Sequence, residues 1–125
     1  MLKRNLNIQK TYKECCEIIG ISRHDVEIDL PQPYQQQMFN LFKLRICRDA
    51  YWKIAGEELG LDGPWKPDWN DHNQPKFGIH TVENQIRCIT LHVLKNLILV
   101  FPTEEMRDAF CENFKDLIEK SKELL

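Results

Sequence analysis

The sequence predicts an α+β fold: a helical N-terminal half, a small antiparallel three-stranded sheet, and a C-terminal helix packed on the sheet. Three observations carry that expectation. Helical spacing of apolar residues dominates up to Leu59, three short β-patterned runs lie between Phe77 and Phe101, and a capping residue followed by two acids opens a last amphipathic segment at Thr103. A chain of 125 residues, 42% hydrophobic and 29% charged, is long enough to close one core, so residues 1–125 are expected to form a single domain.

Thr11 and Glu14 stand at capping-box spacing, where each side chain can satisfy the other's orphaned backbone donor, and Gly20 supplies the φ > 0 position that ends helices. The first helix falls between them, with Tyr12, Cys15, Cys16 and Ile19 as its apolar positions. Ser22 and Asp25 repeat the spacing and predict a short helical turn over Arg23 to Glu27, halted by Pro31 and Pro33. From Tyr34 to Leu59, Met38, Phe39, Leu41, Phe42, Ile46, Cys47, Ala50, Tyr51, Ile54 and Ala55 cover more than one narrow stripe. Such a helix meets neighbours on several sides. Gly60-Leu61-Asp62-Gly63 and Pro64 end it.

Gly63-Pro64-Trp65-Lys66-Pro67-Asp68-Trp69 is a rigid aromatic connector, because its prolines exclude helix and each indole offers a large apolar ring with one N–H donor. Beyond it, Phe77 to Val82 alternates crudely, Ile86 to Leu94 alternates better, and Leu97 to Phe101 is continuously apolar. Three strands are expected, two of them joined by a tight turn at Lys95-Asn96. Pro102-Thr103-Glu104-Glu105 then starts a helix, with acids on the positive end of its dipole and Met106, Phe110, Phe114, Leu117, Ile118 and Ser121 on the face toward the sheet.

Composition narrows the function classes. With 17 Lys plus Arg against 19 Asp plus Glu, a formal net charge of −2 provides no global field for phosphate backbones or anionic membranes. Nucleic acid is therefore disfavoured as a partner. No apolar stretch approaches the ~20 residues that span a bilayer, and the polar start is unlike a secretory signal, so no membrane association and a cytoplasmic location are expected. Five cysteines, an odd number among apolar neighbours, argue against a disulfide framework and for reduced core thiols.

Four sharper readings compete with packing. Cys16, Gly20 and Val26 match helix-turn-helix spacing, but Asp25, Glu27 and Asp29 would set the wrong charge against phosphates. His80, Cys88 and His92, with His72 as a fourth ligand, match no closed zinc pattern. No cysteine stands at a helix N-terminus, where its thiolate would be favoured, so no nucleophile is identified. The expectation is a protein that is not an enzyme and takes no cofactor or metal. The fourth reading is an aromatic contact surface at the connector, with Trp65, Lys66 and Trp69 as the candidate contact to an unidentified protein partner. Within it Trp69, which leads into the strands, is expected to close the core, and Trp65, beside Gly63, Pro64 and Lys66, to face the partner. The runner-up function is a weak nucleic-acid-binding regulator that uses the N-terminal helices.

Gly20-Ile21-Ser22 after a cysteine-rich helix, Lys43-Leu44-Arg45-Ile46 and Arg48-Asp49-Ala50-Tyr51, the Trp65-Lys66-Pro67-Asp68-Trp69 box, and Leu99 to Glu105 leading into Phe110 and Phe114 together carry a resemblance. The chain resembles, over most of its length, a family of small uncharacterised proteins encoded in prophages, phages and other mobile elements of gut bacteria, with the W-x-P-D-W box the most specific part. Its link from Arg48-Asp49-Ala50 to that box is longer than in the family's short form. The resemblance implies a phage or mobile-element accessory protein and carries no activity, cofactor or site residue with it.

Overall fold

Helix α1 (Tyr12–Ile19) starts and stops on its sequence signals. Thr11 Oγ1 accepts from the Glu14 backbone N–H and donates to Glu14 Oε1, each at 3.2 Å. Gly20, at φ 85°, donates its N–H to the Cys16 carbonyl at 2.8 Å and ends the helix in the left-handed region open to glycine. The computed structural model describes residues 11–22, 30–91 and 97–125. The expected turn over Arg23 to Glu27, the acidic would-be recognition helix and the Lys95-Asn96 turn lie outside them.

Helix α2 (Tyr34–Glu58) is the long central element, and its breadth of burial follows its broad apolar surface. Leu44, Cys47, Ala50, Tyr51, Ile54 and Ala55 are fully buried, against α1, α4 and the sheet. Its end is a Schellman cap: Leu61 N–H bonds the Gly56 carbonyl at 2.9 Å and Gly60 N–H bonds that of Glu57 at 3.2 Å, with Gly60 at φ 72°.

Strands β1 (Lys76–Val82), β2 (Gln85–Leu91) and β3 (Leu99–Phe101) form one antiparallel sheet in the order β2-β1-β3. This corrects the expected pairing. A tight turn at Glu83-Asn84, both with positive φ (51° and 62°), joins β1 to β2, and β3 pairs with β1 on the opposite side from β2. Phe77, Ile79 and Thr81 share a face with their partners Thr90, Cys88 and Ile86, and with Phe101 and Leu99, and this face meets the helices.

The C-terminal segment is two helices where one was expected. Helix α3 (Glu104–Asn113) lies on β1 and β3, and α4 (Lys115–Ser121) packs on α2. Phe114, at φ −120° and ψ 26°, interrupts them. The bend brings successive aromatic side chains to one cluster: Phe110 stands edge-on to Tyr51 at 5.0 Å, Phe114 lies 4.8 Å from Phe110, and Phe101 lies 4.9 Å from Phe110. Asn113 Nδ2 donates to the Tyr51 hydroxyl at 3.0 Å, so the tyrosine's polar tip is satisfied inside the core. Thr103 Oγ1 accepts from Met106 N–H at 3.1 Å. Thr103→Ala is expected to cost about 1 kcal/mol of stability in a urea titration, with the denaturant slope unchanged.

Candidate functional site

The tryptophan connector is laid directly on α2. Trp65 N–H donates to the Trp52 carbonyl at 3.0 Å, and the two indoles meet edge to face at 5.6 Å. The approach is close because residue 56 has no side chain: a Cβ there would stand 2.1 Å from the Gly63 carbonyl oxygen and 2.9 Å from Pro64 Cα. Trp52 in turn donates its indole N–H to the Val100 carbonyl at 2.7 Å, tying the connector, α2 and β3 into one stack.

This arrangement corrects the surface position expected for Trp65. Trp65 is 5% exposed and belongs to the core, whereas Trp69 is half-buried at its margin. Trp69 shelters the Lys76 ammonium, 5.6 Å from its ring centroid. Lys76 is 1% exposed and donates to the Asp71 and Gln74 carbonyls at 2.9 and 3.1 Å, so its charge organises the loop before β1. Asp68 and Asp71 cap the same loop by accepting from the N–H groups of Asn70 and Asn73.

Lys66 remains exposed, and beside it α2 and the connector form an open cleft of ≈ 490 Å³. Its walls are Ile19, Arg45, Arg48, Asp49, Trp52, Lys53, Pro64 and Lys66. Arg48 is the floor. Its guanidinium lies 4.0 Å from the Trp52 ring centroid, donates from Nη1 to the Ile98 carbonyl at 3.1 Å, and donates from Nε and Nη2 to Asp49 Oδ1 at 3.1 and 2.7 Å. Lys53 reaches the Ile18 carbonyl with Nζ at 2.8 Å while staying exposed. Four cations thus face a single carboxylate, on a chain whose net charge is −2. Asp49 neutralises Arg48, which leaves Arg45, Lys53 and Lys66 as the attracting charges.

Sequence reasoning found Lys66 and missed its companions. Arg45, Arg48, Asp49, Trp52 and Lys53 follow i, i+3, i+4, i+7, i+8 spacing, which is one stripe of a helix, so the signal was present in α2. What the sequence lacked was the connector's return onto that stripe.

The other candidate chemistries separate in space. His80 pairs with Arg87, and Cys88 with Ile79, so His80 and Cys88 project from opposite faces of the sheet, and His92 lies outside the described residues. Among the described residues no three His, Cys, Asp or Glu side chains gather as a metal set. Cys15, Cys16 and Cys47 are buried, and a hydrogen bond with Cys15, together with burial, pushes the Cys47 thiol well above its ordinary range. Among the described residues, no helix is long and apolar enough to cross a membrane. No family model, curated protein or solved structure matches the chain, so the cleft is read from its own chemistry.

Proposed function

We propose that this is a non-enzymatic accessory protein that works by binding another protein, and that an acidic segment of the partner occupies the cleft between α2 and the tryptophan connector. The observation that carries the reading is the gathering of Arg45, Lys53 and Lys66 around an Arg48 fixed by Trp52, Asp49 and the Ile98 carbonyl. Exposed cations around a fixed guanidinium that Asp49 already neutralises suit the carboxylates of an acidic segment, which the rim charges steer. Trp65 supports this surface from inside the core, and Trp69 borders the same connector. The setting in a phage or mobile element rests on the resemblance of the Trp65-Lys66-Pro67-Asp68-Trp69 box, and a cytoplasmic place suits five unpaired cysteines.

Arg45 and Lys66 are exposed, so reversing both leaves the core intact. Arg45→Glu with Lys66→Glu is expected to weaken binding of a Glu/Asp-rich peptide by about tenfold or more, with the wild-type affinity falling as salt rises. Calorimetric titration of both proteins measures it. Equal affinity for wild type and double variant would contradict the reading, and tighter binding of a single-stranded oligonucleotide than of the peptide would favour a nucleic-acid-binding regulator instead.

A further inference from the structure

A second concavity runs along the free edge of β2 beneath α3 and α4, an open groove of ≈ 860 Å³ that contains two cysteines. Cys88 is the cross-strand partner of Ile79, which is 2% exposed on the face that α3 covers, so the Cys88 thiol points to the helix side of the sheet margin. Cys111 lies one helical turn beyond Arg107, whose Nη1 donates to the Ile89 carbonyl at 3.3 Å and holds α3 to β2. Both cysteines line the groove, Cys88 on its strand side and exposed, Cys111 on its helix side and half-buried. Cys15 and Cys47 interact with each other, but both are 0% exposed and sealed between α1 and α2.

We propose that Cys88 and Cys111 form a redox-active dithiol site that reacts with small disulfides of the oxidised-glutathione class and closes reversibly into an intramolecular bridge between β2 and α3. Cys88, the accessible thiol, loses its proton to solvent and attacks one sulfur of the disulfide, forming a mixed disulfide and releasing one thiolate. Cys111 then gives up its proton and displaces the second thiolate, closing the Cys88–Cys111 bond. The two released thiolates take up the two protons. One disulfide is thereby reduced to two thiols while two protein thiols are oxidised to one disulfide. Burial and the neighbouring Cys88 push the Cys111 thiol up to about 11, which suits the second, intramolecular attack more than the first. Asp108, Glu112 and Glu119 line the groove with Lys115 and Lys122, and Lys122 Nζ pairs with Glu119 at 3.3 Å, which leaves Lys115 as the cation for a carboxylate of such a peptide disulfide.

The test uses the folded, reduced chain incubated with oxidised glutathione, followed by intact mass measurement and non-reducing peptide mapping. Two of the five thiols are expected to disappear with a mass loss of two hydrogens, in a peptide joining Cys88 to Cys111, and excess reduced glutathione restores all five. Cys111→Ser is expected to stop at a glutathione adduct on Cys88, and Cys88→Ser to leave Cys111 unmodified. Cys111→Ala serves if the serine variant loses its melting transition. A stable adduct on Cys88 in wild type with Cys111 still free, oxidation of Cys15 or Cys47 before Cys88, or no loss of thiols would each overturn the proposal.

Discussion

Trp65→Ala is expected to destabilise the fold by roughly 3–5 kcal/mol, the usual cost of emptying a buried large aromatic site. Trp65 is 5% exposed, with its ring edge-on to Trp52 at 5.6 Å, so truncation opens a hole between α2 and the connector that neither rigid neighbour can fill. Trp69→Ala should cost less, about 1–2 kcal/mol, because half of that burial is absent and the Lys76 contact is a single cation–π pair. Urea titrations of the two variants separate the cases. Equal losses, or a larger loss at Trp69, would show that the connector does not seat on Trp65.

Gly56→Ala is expected to cost about 2 kcal/mol or more, although alanine favours a helix interior by up to ~1 kcal/mol over glycine. The added methyl would stand 2.1 Å from the Gly63 oxygen and 2.9 Å from Pro64 Cα, and both are backbone atoms with no rotamer to yield. The connector must lift from α2. The same substitution should therefore weaken binding of an acidic peptide, since Pro64 and Lys66 form one wall of the cleft. Gly63→Ala is the control, because a Cβ there meets no atom within 4 Å. A stable Gly56→Ala protein with unchanged melting temperature would mean that the connector sits farther from the helix.

How legible each part was depends on the range of the interactions that fix it. The caps at Thr11, Gly20, Gly60 and Thr103 are local hydrogen-bond devices, and all four stand where their residue types place them. The strands were also visible, but their pairing was not. Glu83-Asn84 carries none of the glycine usual in a two-residue turn, and the choice of β1 over β2 as partner for β3 is a long-range packing decision. The break at Phe114 belongs to the same class, set by the aromatic cluster with Tyr51 and Phe110 and not by a proline or glycine. The burial of Trp65 follows from one absent side chain, at Gly56, nine residues before the box. The candidate site was half legible. Its helical stripe from Arg45 to Lys53 has a regular spacing, while the wall bearing Lys66 depends on the fold.

The cleft itself is tested most directly by titrating the isotopically labelled protein with a Glu/Asp-rich peptide and following its backbone amide resonances. Saturable shifts concentrated at Arg45, Lys53 and Lys66, suppressed by salt and lost in the Arg45→Glu, Lys66→Glu protein, are the result expected of an acidic-segment site. Shifts that cluster instead along α3 and α4, or that spread evenly over the surface and persist in the double variant, would contradict it.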